Sequence, residues 1–489
     1  MMLCRPLSLA QSNIRTGQDP VSVADGFLKE GKIDTAFQIL TTYVASHPND
    51  PEALRLLGRA HYWSGRSDDA RQRYEDALAL APHNAGLQLE YARMLAETGG
   101  LDRAREILIP LTLRGAASAD AWELLGTIQY WEGDWTGARD SFVEALARDP
   151  GNREARRQLS EIAVATATSA SLGLEYQDDT QPLRRSILTG ELDLQITPLQ
   201  RFHFLVQPQF ANVSDTARSV LAASAAWKQY MPTSKLETEL SAGLLRRSFT
   251  KSADWTWGVH LGLRLPNHFG VRASAERLAS LYASASFSTP VMTTSGSLQL
   301  AWNHPNGRMG RVAAEIIRFP DDNVLRRFSG WLLLPLGPSA GFRFSAGYGY
   351  NAQHADENRF TRIGDASSIL GSYIPYYTPT NLRAHSFLGV LLVKLSAGTE
   401  LQLNGSYGFT ATEDAPSFLV DSTPPQRTSV DRVFLERSFH PSTVKATLTA
   451  RMGSYGTLLV EGVHSSNSFY DVTQVNLRFS YRFLPSDHE

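Results

Sequence analysis

The sequence holds a single cysteine, Cys4, among 489 residues, which excludes an internal disulfide and any cysteine-cluster metal site. No stretch approaches the roughly 18 to 20 consecutive apolar residues that a membrane-crossing helix needs. Basic and acidic residues nearly cancel, 47 against 49, so the clustered positive surface that nucleic acid requires is missing. The 12 histidines are scattered without metal-ligand spacing, and there is no Gly-x-Ser-x-Gly elbow and no phosphate-binding loop. These absences leave no catalytic residue, metal or cofactor to assign. They also confine any membrane role to β-strands. A chain of this length calls for about two or three domains.

What is present begins with a repeat. Ala36, Ala70, Ala104 and Ala138 are 34 residues apart. Leu57, Gly58, Gly65, Ala70, Tyr74, Ala77 and Pro82 in one copy recur as Leu125, Gly126, Gly133, Ala138, Phe142, Ala145 and Pro150 two copies later. This is the tetratricopeptide pattern of paired antiparallel helices, in which small residues let helices approach, an aromatic fills the gap and proline closes the unit. The first copy is short in its first helix, and the third carries Ala92 for glycine and Ala116 for proline. Four copies, from about Val21 to Asn152, exceed the roughly three needed for a continuous core. A helix over about Arg153 to Val164 is expected to cap them.

Such arrays bind partners along the concave face made by the first helices. His61-Tyr62-Trp63-Ser64-Gly65 and Gln129-Tyr130-Trp131-Glu132-Gly133 repeat one aromatic pair two copies apart. Tyr62, Trp63, Tyr130 and Trp131, with Arg55, Arg59 and Glu123 nearby, are candidates for partner docking or sugar stacking, against the alternative of packing between repeats. Ahead of the repeats, Ser8-Leu9-Ala10 resembles the end of a secretory signal without the charged and apolar regions that precede one. Residues 1–20 are expected to be a signal-peptide remnant or an ordinary irregular start.

From Thr168 the period changes to two. Phe202, Phe204, Val206 and Phe210 alternate with His203, Gln207 and Gln209; Trp255, Trp257, Val259, Leu261, Leu263 and Leu265 alternate with Asp254, Thr256, Gly258, His260, Gly262 and Arg264. In the last such stretch Val475, Leu477, Phe479, Tyr481 and Phe483 alternate with Asn476, Arg478, Ser480 and Arg482. Alternation is the signature of half-exposed strands. Strands of ten or more residues, aromatics near their ends and a polar face too hydrophilic for a dry core predict a transmembrane barrel. The expected architecture is a two-domain α + β chain. An α-solenoid occupies 21–165 and an antiparallel barrel 168–484. About 20 residues per strand with its connection and the even-number rule give 16 strands, with 14 as the alternative. Arg478 and Arg482 should face the channel and the aromatics lipid.

Tight connections at Met231-Pro232-Thr233-Ser234, Gly337-Pro338-Ser339-Ala340 and Ser396-Ala397-Gly398-Thr399 contrast with expected long loops at about 353–382 and 411–428. Folded inward, these loops would place Asp356, Glu357, Glu413 and Asp414 as an electronegative constriction for cationic or partly deacetylated sugars. Otherwise they are solvated tips. Tyr373, Tyr376 and Tyr377 form either a sugar-stacking ladder or an interface anchor.

The order of parts, tetratricopeptide repeats and then a barrel of about 320 residues, resembles the outer-membrane exporters of bacterial exopolysaccharides such as poly-N-acetylglucosamine, cellulose and Pel. The shared pieces are the repeats, the Tyr-Trp-x-Gly stretches and Tyr373 to Pro379, although those exporters usually carry many more repeats. The resemblance implies an outer-membrane channel without enzymatic activity. It implies repeats in the periplasm that dock or guide, and contact with polysaccharide, outer-membrane lipid and periplasmic or inner-membrane export partners. Phe483 resembles the terminal aromatic read by the barrel assembly machinery, here followed by six further residues. A short repeat domain joined to a barrel is also similar to the surface lipoprotein assembly modulators, which translocate lipoproteins. A barrel enzyme acting on envelope glycans or lipids is a further alternative.

Overall fold

The computed structural model describes residues 19–113, 118–180, 183–213, 216–248, 250, 253–281, 284–287, 291–337, 341–359, 376, 378–421, 429–467 and 471–484. The chain divides into two compact units, Met1–Ile162 and Ala163–Glu489.

The first unit pairs α1 (Pro20–Lys29) with α2 (Ile33–Ser46), α3 (Pro51–Trp63) with α4 (Ser67–Leu80), α5 (Ala85–Glu97) with α6 (Leu101–Leu113), and α7 (Ala119–Glu132) with α8 (Trp135–Arg148); α9 (Arg153–Ala165) follows. The first helix of each pair starts on a capping side chain. Asp19, Asp50, Asn84 and Ser118 accept hydrogen bonds from backbone N–H groups of their first turns, which would otherwise lack partners. Each pair is joined at a glycine in the left-handed region, Gly31, Gly65, Gly99 and Gly133, where a Cβ would be strained.

The core shows why the repeat varies. A Cβ on Gly58 would lie 3.2 Å from the Tyr74 ring, and one on Gly126 2.8 Å from the Phe142 ring. In the first and third copies the glycine is an alanine, Ala24 or Ala92, and the residue 16 positions on is Leu40 or Leu108. Each alanine is fully buried in the same cluster as its leucine. Glycine goes with a ring and alanine with leucine, so the two choices fill one space in two ways.

The second unit is one antiparallel meander: β1 (Thr168–Asp179), β2 (Leu183–Thr197), β3 (Gln200–Val213), β4 (Thr216–Met231), β5 (Leu236–Arg247), β6 (Ala253–Arg264), β7 (Phe269–Ala279), β8 (Met292–Asn303), β9 (Met309–Arg318), β10 (Val324–Pro335), β11 (Phe342–Ala355), β12 (Thr380–Lys394), β13 (Thr399–Asp421), β14 (Ser429–Phe439), β15 (Ser442–Met452), β16 (Gly456–Ser466) and β17 (Asp471–Phe483). β17 pairs with β1 from Thr168↔Phe483 to Asp179↔Val472 without a shift, closing the sheet.

The 17 segments make 16 staves. β14 and β15 are one stave interrupted at His440-Pro441. β14 follows the upper half of β13 (Ala411–Asp421) and β15 its lower half (Thr399–Tyr407). Proline has no N–H for the ladder. Its carbonyl accepts from the Gly408 N–H at 2.7 Å, and a Cβ on Gly408 would sit 2.5 Å from Pro441 Cδ. Only glycine fits opposite this break. The stretch expected to be a long loop at 411–428 is therefore strand as far as Asp421, because cross-strand pairing with β14 extends it. Of the other expected loop, 353–355 belongs to β11.

Large apolar side chains point outward all round. On β17, Val475, Leu477, Phe479, Tyr481 and Phe483 are 40 to 50% exposed, which for a closed sheet means a lipid-facing band. On the inner face Arg478 reaches Glu191 on β2 across β1. Gly173, opposite Arg478, leaves room for that crossing. Connections after β2, β4, β12 and β15 are two to four residues long, and Thr168 and Phe483 lie at that same end. At the other end two connections are long, 280–291 and 356–379, whereas β1–β2 and β3–β4 are short. The first of these folds inward as a short helical turn, Ser284–Phe287, whose Phe287 is buried with Leu281 against Leu183, Ala211, Val220 and Leu245. From the second, Tyr376 stacks on Phe319 at 3.9 Å between ring centroids.

Candidate functional site in the repeat groove and the barrel lumen

Among the repeats, a groove of ≈ 350 Å³ is lined by Arg59, Tyr62, Trp63, Glu90, Arg93 and Glu97, among others. Its floor is an ion-pair clamp between neighbouring copies. Arg59 donates to both Glu90 oxygens at 2.6 Å, Arg55 also binds Glu90, and the Tyr74 hydroxyl donates to Glu90 at 2.8 Å. Burial pushes the Glu90 carboxyl up, but the hydrogen bonds and charges of Arg59 and Arg55 outweigh it and hold the group below its ordinary range. Glu90 was not apparent as a site residue. The signal was there: it occupies the repeat position held by buried Leu56 and Leu124 in adjacent copies.

Arg55, Arg59 and Glu123 thus tie helices together; Glu123 accepts from Asn152 at 2.6 Å. Tyr62 donates its hydroxyl to Glu97, whose hydrogen bond, with burial, pushes the phenol up to about 12. Tyr130 faces Glu161 at 3.5 Å in the corresponding way. Trp63 and Trp131 are left 45% and 50% exposed, and the Arg59 guanidinium lies 5.8 Å from the Trp63 ring centre. The tyrosines are held and the tryptophans are open.

In the barrel the lumenal face is polar and its charges are matched across strands. One lateral row runs Lys228, Glu239, His260, Ser274, Ser297, Glu315 and Arg327 over β4 to β10. Within it Lys228 pairs with Glu239 at 3.2 Å, Arg327 with Glu315 at 3.5 Å, and Ser274 with Ser297 at 2.7 Å. Elsewhere on the wall Lys445 pairs with Glu461 at 2.6 Å, His203 meets Asp193 at 3.2 Å and Arg478 meets Glu191. Arg482 is on the same face near the tight-turn end.

Three of the four acids proposed for a constriction are paired with arginines. Asp356 pairs with Arg326 at 2.5 Å, Glu357 with Arg359 at 2.6 Å and Glu413 with Arg437 at 2.8 Å. Asp414 accepts from Asn381. Arg326 and Arg437 stand on neighbouring strands and Arg359 follows Glu357 in the same connection, so these three carboxylates are balanced, whereas Asp414 meets a neutral amide. Glu413 and Asp414 are strand residues of β13, not loop residues. Tyr376 is packed and donates to Asp321 at 2.5 Å; Tyr373 and Tyr377 lie outside the described residues. Sequence inspection also missed Arg247, fully buried at the end of β5 and bound to Asp254. Among the described residues no group of three or more His, Cys, Asp or Glu side chains could hold a metal.

The tetratricopeptide repeat family matches residues 27–74 and 64–128. Over 142 residues, 28% of this chain, the sequence is 26% identical to cellulose synthase 2 operon protein C of Komagataeibacter xylinus, covering 11% of that protein. Over 126 residues, 26% of the chain, it is 24% identical to human tetratricopeptide repeat protein 7A, covering 15% of it. This chain therefore spans only a small part of either relative. Among solved structures, a bacterial polysaccharide outer membrane secretin superposes over 65% of this chain and 99% of its own, with a TM-score of 0.47 and 10% identity. The chain resembles the exopolysaccharide exporters in its order of parts: repeats, then a 16-stave barrel.

Proposed function

We propose that the chain is the outer-membrane channel of an exopolysaccharide export system. The observation that carries this reading is a 16-stave barrel with a polar, charge-matched inner face, since staves of that number enclose a hydrated channel. The partial likeness to a cellulose synthase operon protein supports it. Short turns are periplasmic in bacterial barrels, and the first strand of the barrel begins at the short-turn end, with Thr168. On this reading the repeats lie in the periplasm, where Trp63 and Trp131 dock an export partner or guide the polymer. The outward Phe483 at the end of the closing strand serves as the signal for barrel assembly.

Deleting the gene should abolish polymer in the medium, and a copy carrying Trp63→Ala and Trp131→Ala should restore the barrel in the membrane but not full secretion. Undiminished secretion in the deletion strain would sink the reading. The order of parts, helical repeats and then a barrel, also fits a lipoprotein translocator as second reading. Recovery of lipoproteins rather than envelope glycan machinery with the repeats would select it.

A further inference from the structure

The inner wall of β5 to β8 carries a recess of ≈ 390 Å³ lined by Glu237, Glu239, His260, Arg272, Ser274 and Gln299, among others. Its geometry comes from register. Glu237, Gly262, Arg272 and Gln299 are successive lateral neighbours, and Glu239, His260, Ser274 and Ser297 form the next row. Glycine at 262 leaves the space above the wall empty. The atoms nearest to a Cβ there would be those of the Glu237 and Arg272 side chains, at 3.5 Å and beyond. Gly243 and Gly258 lie on the same wall but are covered, since a Cβ at either would come within 2.6 Å of Ala223 O or Ser241 Oγ. The recess is near the tight-turn mouth, since Glu237 is the second residue of β5.

Several lumenal charges are already paired. Glu237 and Arg272 are different: they flank Gly262, and neither side chain makes a hydrogen bond or ion pair with another described residue. Around them stand an amide (Gln299), hydroxyls (Ser274, Ser297) and an imidazole (His260). A polyanion entering here would meet Glu237 and Glu239, and a polycation would meet Arg272 and Lys228. A sugar hydroxyl both donates and accepts, so one ring can donate a hydrogen bond to Glu237 and accept one from Arg272, each a charge-assisted bond.

We propose that this recess is a binding subsite for an uncharged, hydroxyl-rich saccharide at the entrance to the lumen. The assignment rests on the export reading for its biological use, but its chemistry can be tested separately. Full-length protein in detergent would be titrated by calorimetry with three hexasaccharides: cellohexaose (uncharged), hexagalacturonate (anionic) and fully deacetylated chitohexaose (cationic). Cellohexaose should bind, and Arg272→Gln and Glu237→Gln should each weaken it about tenfold, the loss of one charge-assisted bond. Gly262→Met, which fills the recess, should abolish binding. Heat-modifiable gel migration checks that each variant is still a folded barrel. Tighter binding of either charged hexamer, or cellohexaose binding untouched by all three variants, would overturn the subsite. Failure of the export reading has a different signature: the deletion strain still secretes its polymer, while cellohexaose binding continues to follow Gly262 and Arg272.

Discussion

Replacing Gly126 by alanine tests whether the repeat core is a matched set of pairs. The new Cβ would lie 2.8 Å from the Phe142 ring. Overpacking of this kind costs about 1–3 kcal/mol, and the better helix propensity of alanine returns about 1 kcal/mol. The net cost is about 1 kcal/mol. Phe142→Leu alone removes buried ring atoms and leaves a cavity, at about 2 kcal/mol. Together the two changes recreate the pairs already present at Ala24 with Leu40 and Ala92 with Leu108. The double variant should therefore fall short of the summed loss by about 1 kcal/mol, within the usual range for residues in contact. Melting of the helical circular dichroism signal at 222 nm, with full-length protein in detergent, reads this directly. At about 4 °C per kcal/mol for a unit of this size, the single changes lower Tm by about 4 °C and 8 °C. The double change lowers it by about 8 °C. A loss of about 12 °C, the plain sum, would refute the pairing argument.

The Glu90 carboxyl, held below its ordinary value near 4.5 by Arg59 and Arg55 against the opposing effect of burial, stabilises the repeats above that value; this stability is lost as pH falls through the lower folded value. Glu90→Gln should cost about 1.5–3 kcal/mol at neutral pH, the worth of hydrogen bonds to a charged group, and should flatten the acid limb of helical Tm against pH; an unchanged limb would count against the clamp. Gly408→Val places atoms into Pro441 and should break the register of β13 against β15, seen as loss of the heat-modifiable form in outer-membrane extracts. Unboiled wild-type protein from those extracts should migrate differently from boiled protein, and a chain that is soluble and shows no shift would contradict the barrel.

Local regularities were legible in the sequence because each depends on residues close along the chain. The 34-residue period, with its capping residues and glycines, follows from the helix pair, and the alternation of Phe202 to Phe210 or Val475 to Phe483 follows from the pleat. Even the two faces of the last strand could be read, since one register slip would reverse all of them. Partners were not legible. Arg55 and Arg59 looked free for a ligand, yet they grip Glu90, which is more than 30 residues away in sequence. The acids at 356, 357 and 413 looked like a field, yet each faces a cation.

By itself the sequence determined that the chain is a short helical array followed by a membrane-sized antiparallel sheet, because periodicity and burial are properties of single elements. The tertiary structure alone decided that the sheet closes with 16 staves from 17 segments, that Pro441 requires Gly408 beside it, and that one connection turns inward. It also decided which lumenal charges cancel and which two, Glu237 and Arg272, are left open beside Gly262. Those outcomes depend on lateral register between strands, which brings together residues whose separation along the chain carries no trace of their meeting.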